Sequence, residues 1–331
     1  MSETTMKAAL VEAANGDFRL AELAMPALQP GHVLVAIHAS GVNPLDTKIR
    51  AGAAGHARHP LPAILGLDMA GVVVETGPGV TRFKVGDEVY GMTGGVGGHQ
   101  GSLAEYASVD ADLLALKPKN LTMREAAALP LVFITGWEGL VDRANVQPGQ
   151  TVLVQGGAGG VGHMAVQIAR AKGARVFATD RGSKADYLTS IGATPIDFEV
   201  GGVEDYVAAH TQGLGFDLVY DTGGGVVLDN SFKAVRKFGH VVSCLGWGTH
   251  ALAPLSFKAA TYSGVFTLMP LLSGEGRAAH GRILEAATKL AEAGQLVPRL
   301  DPREFTLASA DQAHAVITTG KPTGKVVVSV R

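Results

Sequence analysis

A glycine-rich segment in the middle of the chain has the residue spacing of a phosphate-binding turn. An apolar run at residues 151–154 predicts a strand, and Gln155-Gly156-Gly157-Ala158-Gly159-Gly160-Val161-Gly162 follows it directly. Gly157 permits the sharp turn, Gly159 lets the backbone approach a pyrophosphate, and Gly162 lets the next helix pack closely on the strand. The start of that helix offers unpaired N–H groups and a partial positive charge to phosphates. The segment therefore predicts dinucleotide binding, with a ligand-free glycine turn as the alternative.

Charged residues at the end of the next predicted strand bear on which dinucleotide is bound. Asp180 lies 18 residues after Gly162, about where an acidic side chain holds the adenosine ribose 2′-hydroxyl of NAD(H). Arg181 and Lys184 follow, and an arginine can bind the 2′-phosphate of NADP(H) through two hydrogen bonds. Both cations are also compatible with a solvated helix start. Taken alone, these residues slightly favour NAD(H).

The composition excludes several classes of protein. The 331 residues carry a formal charge of −2 and a sequence pI of about 6.6, which argues against nucleic-acid binding. We find neither an apolar run of membrane-spanning length nor a basic-then-apolar leader, so we expect a cytoplasmic protein without membrane association. Cys244 is the only cysteine, which excludes an intrachain disulfide and a multi-cysteine metal site.

Strand and turn signals change in character along the chain. Up to about residue 120, short strands such as 33–37 and 71–75 alternate with glycine turns, which is typical of a small barrel-like β domain. Further on, predicted strands at 151–154, 175–179, 216–220 and 240–244 alternate with helices such as 162–172 and 226–238, which favours a parallel, doubly wound sheet. The last predicted strand, 325–330, lies outside this alternation. We expect it to return to the N-terminal β domain.

Several blocks outside the glycine segment resemble one known superfamily. They are, in order, SGVNPLDTK at 40–48, LGLDMAG at 65–71, FKVGDEV at 83–89, GSLAEY at 101–106 and TGK at 323–325. With the glycine segment, they make the chain similar to the medium-chain dehydrogenase/reductase superfamily, and in particular to its zinc-independent quinone oxidoreductase branch. The resemblance covers nearly the whole chain.

This resemblance implies an α/β fold, with a GroES-like β-barrel domain and a Rossmann domain built on a doubly wound parallel sheet. We place the first, discontinuous domain at residues 1–125 and 275–331, and the second at residues 126–274. The resemblance also implies a homodimer or homotetramer. The strand predicted near 262–267 is a candidate for pairing across a two-fold axis.

The positions that carry zinc ligands in the related zinc-dependent enzymes hold other residues here. The zinc branch has a cysteine near Gly41 and a His-Glu pair in the block at Gly66, whereas this sequence has Val42-Asn43 and Leu67-Asp68 there. A catalytic zinc needs about three protein ligands, and the histidines form neither a helical pair nor a cluster with the cysteine. We therefore expect no zinc.

Without a metal, reduction of an electron-poor carbonyl compound is favoured over oxidation of an alcohol. An alcohol needs a Lewis acid to hold its alkoxide, whereas a quinone or an enone spreads the developing charge to its own oxygen. The resemblance implies that Asn43, Asp46 and Lys48 face the nicotinamide end of the site. Many quinone reductases have tyrosine where Lys48 stands. Our hypothesis is that Lys48 assists the enolate or places the cofactor, with an exposed Asp46/Lys48 charge pair as the alternative.

The same resemblance assigns further residues to the cofactor. Thr135 matches a position near the nicotinamide ribose, and Cys244, Gly246 and Phe266 lie in stretches that match those flanking the nicotinamide ring. Each is equally compatible with ordinary helix or strand-end packing. Lys325 either reaches the cofactor or closes the last strand. Because this branch mostly uses NADP(H), the resemblance shifts the prediction to NADP(H), while Asp180 keeps NAD(H) possible.

The sequence thus predicts a zinc-independent, NAD(P)H-dependent oxidoreductase that transfers a hydride to a small quinone or α,β-unsaturated carbonyl compound. One alternative is an enoyl or alkenal reductase for longer or thioester-linked substrates. For such substrates Trp137, Trp247, Tyr262 and Phe266 would line an apolar pocket rather than a core. A second alternative is a nucleotide-binding sensor or structural protein without turnover.

Overall fold

The computed structural model describes residues 5–331, which form two compact units. Unit 1 comprises the residues up to Leu131 together with Leu268–Arg331, and unit 2 comprises Val132–Thr267. The predicted domain boundaries at 125/126 and 274/275 lie a few residues outside unit 2 at both ends. At the first boundary, the Leu131 N–H bonds to the Asp68 carboxylate at 2.9 Å, which ties this residue to unit 1.

Short strands dominate unit 1, whereas strands and helices alternate in unit 2. The strands are β1 Thr5–Val11, β2 Arg19–Ala24, β3 His32–Val42, β4 Ala63–Ile64, β5 Asp68–Thr76, β6 Glu88–Met92, β7 Tyr106–Asp110, β8 Leu114–Leu116, β9 Thr151–Gln155, β10 Arg175–Asp180, β11 Thr194–Asp197, β12 Phe216–Asp221, β13 Val235–Ser243, β14 Thr261–Gly264, β15 Phe305–Thr306 and β16 Val326–Ser329. The α-helices are α1 Pro44–Arg50, α2 Met123–Ala127, α3 Pro130–Trp137, α4 Gly160–Ala171, α5 Ala185–Ser190, α6 Val203–Thr211, α7 Val226–Ala234, α8 Ala253–Ser256, α9 Met269–Ser273, α10 Arg277–Glu292 and α11 Ala310–Thr318.

Strand β3 is the centre of unit 1. The larger sheet has the order β15-β16-β3-β5-β6-β8, with β7 also paired to β3, and the smaller one has the order β2-β1-β4. Apolar side chains of β3 and its neighbours, among them Val33, Ile37 and Met69, form a buried cluster. Strand β16 pairs antiparallel to β3 with Val326 opposite Val42, so the last strand joins the N-terminal sheets as the sequence predicts. This pairing brings the residue before β16 next to the end of β3.

Unit 2 contains a six-stranded parallel sheet in the order β11-β10-β9-β12-β13-β14. This is the strand order of dinucleotide-binding sheets, in which two mononucleotide-binding halves meet where the order reverses. The reversal lies between β9 and β12. Buried Leu153, Phe177, Phe216 and Phe232 belong to the core that supports it.

Two local features differ from the sequence pattern. The helix predicted over 226–238 ends at Ala234, because the backbone becomes extended at Val235, where β13 begins. At this end Lys258 Nζ donates to the carbonyls of Phe232 and Val235 at 3.3 and 2.6 Å. Helix α3 continues as a π-helix over Glu138–Arg143, which hydrophobic periodicity does not reveal. No helix within residues 5–331 combines the length and apolarity needed to cross a bilayer.

Candidate active site

The glycine turn joins β9 to α4 with no room for side chains at its ends. A Cβ on Gly162 would lie 2.0 Å from the Gly156 carbonyl oxygen, and one on Gly157 would lie 2.5 Å from the Ala178 Cβ. Gly159 caps the helix at φ −74° and ψ 176°, and it is exposed. Both ends of the turn are therefore fixed by packing, while its middle faces solvent.

The first turn of α4 is a candidate pyrophosphate site. Its first bond of the α-helical i to i−4 type runs from the His163 N–H to the Gly159 carbonyl at 3.0 Å. The N–H groups of Gly160, Val161 and Gly162 therefore have no acceptor within the helix. Such a helix start attracts phosphate oxygens through these donors and the helix dipole. The turn thus fits the diphosphate of a dinucleotide.

Asp180 lies against the glycine turn, at the end of the second strand. Its Oδ2 accepts from the Ala158 N–H and its Oδ1 from the Arg181 N–H, both at 2.9 Å. The Arg181 side chain is exposed and lies 3.6 Å from Glu199, and Lys184 is half-buried at the end of a short 3₁₀ turn. The structure thus brings Asp180 to the turn and leaves Arg181 on the surface.

Thr135 belongs to a buried network in unit 2. Its hydroxyl lies 3.0 Å from that of Thr267, which donates to the Glu138 carboxylate at 2.9 Å. Tyr220 Oη donates to the Thr135 carbonyl at 2.6 Å. Both threonines are less than a tenth exposed. The network fixes the segment that follows β14, at the carboxyl edge of the sheet.

Cys244, Gly246 and Phe266 follow the ends of β13 and β14. Burial raises the pKa of the Cys244 thiol to about 12, so this side chain is not a thiolate. A Cβ on Gly246 would lie 2.1 Å from Tyr262 Oη, so a side chain at this position would require the tyrosine ring to move. The Phe266 ring meets the half-exposed Trp247 ring edge-on, with centroids 6.2 Å apart.

Sequence reasoning missed Asp221, the last residue of β12. This carboxylate is fully buried, and it accepts bonds from the N–H groups of Gly223 and Gly224 and from Ser243 Oγ. Thr222, next in the chain, donates to the Gln155 carbonyl at 2.6 Å. An acidic residue at the carboxyl end of a parallel strand, followed by three glycines, was the available signal.

In unit 1, three residues from distant segments form one buried cluster. Asn43 Nδ2 donates to Asp68 Oδ2 at 2.9 Å, and the Lys325 ammonium bonds to Asn43 Oδ1 and lies 4.0 Å from Asp68. Lys325 also donates to the Val42 carbonyl at 3.3 Å. Burial raises the pKa of Asp68 to about 6 and is opposed by the Lys325 charge. These contacts favour the prediction that Lys325 closes the last strand.

Helix α1 presents Asp46 and Lys48 differently. Asp46 is buried, and its carboxylate accepts the Asn43 N–H at 2.8 Å in a capping arrangement. Burial raises the pKa of Asp46 to about 7. Lys48 is exposed, and no ion pair within residues 5–331 joins it to Asp46. The alternative of an exposed Asp46/Lys48 charge pair is therefore wrong, because α1 turns Asp46 into the interior.

A zinc ion does not fit the residues at the corresponding positions. Asn43 and Asp68 are bonded to each other, and the Lys325 ammonium already supplies a positive charge beside them. Within residues 5–331, no group of three or more His, Cys, Asp or Glu side chains is placed to hold a metal ion. Zinc sites take ligands of these types.

The fold and the glycine turn together indicate a dinucleotide-binding protein, and the comparisons with known proteins specify the family. Residues 29–119 match the family "Alcohol dehydrogenase GroES-like domain" and residues 160–279 match "Zinc-binding dehydrogenase". The chain is 37% identical to a 2-methylene-furan-3-one reductase of Solanum lycopersicum and 35% identical to a chloroplastic NADPH-dependent alkenal/one oxidoreductase of Arabidopsis thaliana. Each match covers 92% of this chain and 74% of the relative. The chain belongs to the medium-chain dehydrogenase/reductase superfamily and is an oxidoreductase.

Solved structures and multienzyme relatives add detail. An alcohol dehydrogenase superfamily protein from Novosphingobium aromaticivorans is 62% identical, with a TM-score of 0.97 and coverage of 99% of this chain and 100% of that one. The quinone oxidoreductase of Coxiella burnetii is 28% identical, with a TM-score of 0.83 and coverage of 99% and 100%. CurK enoyl reductase is 26% identical, with a TM-score of 0.84 and coverage of 99% of both chains. The mycoketide-CoA synthase of Mycobacterium tuberculosis is 37% identical over 91% of this chain, which spans only 7% of it.

Proposed function

We propose that this protein is a zinc-independent reductase that uses NAD(P)H to reduce quinones or α,β-unsaturated carbonyl compounds. The observation that carries the proposal is the buried Lys325 ammonium bonded to Asn43, because zinc-dependent relatives have metal ligands in this region. The similarity to a furanone reductase, an alkenal/one oxidoreductase and a quinone oxidoreductase supports the substrate class.

The chain's own residues bind and orient both reactants. The glycine turn and the N–H groups that begin α4 hold the diphosphate of the cofactor, whose nicotinamide supplies the hydride when bound. Lys48 is the exposed cation of α1, so it is available to donate a hydrogen bond to the developing enolate oxygen or to a ribose hydroxyl. The enolate then takes a proton.

The role of Lys48 is tested by removing its charge. Lys48→Met should lower kcat/KM for an enone about ten-fold, whereas Lys48→Arg should keep much of the activity, since one charge-assisted hydrogen bond is worth about 1.5–3 kcal/mol. Turnover and cofactor affinity that are both unchanged in Lys48→Met would contradict the role.

We further propose that NADP(H) is preferred, as one relative's name suggests, and that Asp180 limits this preference. The Asp180 carboxylate lies against the glycine turn and would repel a 2′-phosphate. Asp180→Ala should raise the ratio of kcat/KM for NADPH to that for NADH about ten-fold or more, whereas Asp186→Ala, which removes an exposed carboxylate of α5, should leave it unchanged. An unchanged ratio in Asp180→Ala would show that Asp180 does not face the ribose.

The proposed reaction is tested by the initial rate of NADPH oxidation with a small ortho-quinone and a small enone, with and without a chelator. We expect turnover that the chelator does not change. Binding of NADPH without turnover on either acceptor would contradict the proposal and favour a nucleotide-sensing role.

The similarity to CurK enoyl reductase and to polyketide synthases favours a second candidate, reduction of longer, thioester-linked enoyl substrates. Rates measured along a series of enoyl thioesters and free enones of increasing chain length distinguish the two. A rate that rises steeply with chain length and requires the thioester would favour the second candidate.

We also expect a cytoplasmic homodimer or homotetramer. Strand β14 is the last strand of its sheet, with Thr261, Tyr262 and Gly264 exposed, so its free edge can pair with a second copy. A monomer in sedimentation at micromolar protein would contradict this assembly.

A further inference from the structure

The carboxylate of Asp221 is buried at the carboxyl end of β12 and bonded only to uncharged groups. Oδ1 accepts from the Gly223 and Gly224 N–H groups at 3.0 Å each. Oδ2 accepts from the Gly224 N–H at 3.1 Å and from Ser243 Oγ at 2.7 Å. Every one of these contacts is a donor, so both carboxylate oxygens only accept hydrogen bonds.

No cation within residues 5–331 is paired with this charge. The ion pairs within residues 5–331 do not include Asp221, and its side chain has no exposed surface. Its charge therefore acts on neighbouring groups with little screening by solvent. Tyr262 and Cys244 show the effect, since burial and, next, the Asp221 charge raise the pKa of both groups.

The position of Asp221 is in the second half of the sheet. The glycine turn after β9 opens the first, adenosine-binding half, and β12–β14 form the second half, which takes the other mononucleotide in sheets of this order. Asp221 holds the loop after β12 and, through Ser243, the segment after β13, where the Leu245 N–H bonds to Ser243 Oγ at 3.0 Å. Both segments lie at the carboxyl edge, where ligands of such sheets bind.

We infer that Asp221 is a positioning residue whose buried negative charge stabilises the oxidised, cationic nicotinamide relative to the reduced, neutral one. The inference rests on the proposed function, because it requires a nicotinamide cofactor. The hydride leaves the dihydronicotinamide with its bonding electron pair and forms a C–H bond on the acceptor. The ring gains a positive charge and the acceptor becomes an enolate that takes a proton from solvent. A fixed negative charge near the ring favours this transfer without touching the acceptor.

The test compares the dissociation constants of the oxidised and reduced cofactor, which requires no turnover. Asp221→Asn removes the charge and keeps the shape. It should raise the ratio of the NADP⁺ dissociation constant to the NADPH dissociation constant about ten-fold, because it weakens the binding of NADP⁺ more than that of NADPH. A role limited to holding the loops would weaken both equally and leave the ratio unchanged, which would overturn the inference.

Three further variants control for folding. Ser243→Ala removes one of the hydrogen bonds and keeps the carboxylate, so it should leave the ratio unchanged. Cys244→Lys places an ammonium near Asp221 without altering it, and it should raise the ratio above that of the uncharged Cys244→Gln. If Asp221→Asn does not fold, equal ratios in these two Cys244 variants would overturn the inference.

Failure of the proposed function gives a different result. A wild-type protein that binds neither NADP(H) nor NAD(H) would contradict the nicotinamide cofactor itself. The result is different if the wild-type protein binds the cofactor but the substitutions at residues 221 and 244 do not change the ratio of the NADP⁺ and NADPH dissociation constants. That result would contradict only the role of Asp221.

Discussion

Asp68 in unit 1 and Asp221 in unit 2 are both fully buried carboxylates, but they are stabilised in different ways. Asp68 has an amide donor from Asn43 and the ammonium of Lys325 at 4.0 Å. Asp221 has backbone N–H groups and the Ser243 hydroxyl, and in the described part of the chain it has no cation. Cation pairing neutralises a charge locally, whereas neutral donors leave its field to act on the surroundings.

The contrast suggests different uses for the two charges. In unit 1 the pairing of β16 with β3 supplies the cation, so the charges hold distant segments of the chain together. In unit 2 the donors belong to loops at the carboxyl edge of the sheet, so the charge can act on a bound ligand. Substitutions that remove one partner at a time test this difference.

The largest effect is expected from Lys325→Met. It leaves Asp68 buried without its cation, and we expect a loss of about 3 kcal/mol in the free energy of unfolding, measured by urea denaturation. Arg19→Met removes the exposed Arg19–Glu12 pair and should cost less than about 1 kcal/mol. Equal losses of stability in the two variants would show that Lys325 does not neutralise the buried Asp68 charge.

A somewhat smaller loss is expected from Gly162→Ala, because its Cβ would meet the Gly156 carbonyl at 2.0 Å. We expect about 2 kcal/mol of destabilisation from this overpacking. At Gly159 a Cβ would lie 3.2 Å from the Gly156 carbonyl oxygen and the backbone angles suit alanine, so Gly159→Ala should lose much less stability than Gly162→Ala but should lose cofactor affinity. Unchanged cofactor affinity in Gly159→Ala would show that the glycine turn does not bind the cofactor.

The third effect, of similar size, depends on pH and concerns Asp46. Burial raises the pKa of Asp46 to about 7 from 3.8, so the folded state retains a proton that the unfolded state releases as the pH rises above about 4. The stability contributed by this group is therefore present below pH 4 and is lost as the pH rises towards 7. Between pH 5 and 8, the free energy of unfolding of Asp46→Asn should rise by about 2 kcal/mol relative to that of the wild type. The difference between Asp17→Asn, at an exposed carboxylate, and the wild type should stay constant over the same range. A constant difference between Asp46→Asn and the wild type would contradict the raised pKa.

Local patterns in the sequence predict much of the fold. The glycine turn and the alternating strands and helices of unit 2 each depend on residues close together in the chain. The Asn43–Asp68–Lys325 cluster does not, because it joins residues from three segments that only the strand pairing brings together. A lysine before a last strand carries no local sign of its partner.

The second half of the unit 2 site shows the same limit. Thr135 and Thr267 are separated by more than a hundred residues, and their contact follows from the packing of α3 against the segment after β14. Among the residues close to it in the sequence, Asp221 bonds to the glycine loop that follows it. Its bond to Ser243 depends on the register of β12 and β13, which the sequence pattern does not give. Side-chain pairs of this kind require the tertiary structure.

Transfer of deuterium from the cofactor by metal-stripped enzyme tests directly whether the protein reduces enones by hydride transfer without zinc. NADPH carrying deuterium at the transferable C4 position is mixed with a small enone and the chelator-treated protein, and the product is examined by NMR. We expect one deuterium on the β-carbon of the saturated ketone and a rate equal to that of untreated protein. A product without deuterium, or a rate restored only by added zinc, would contradict it.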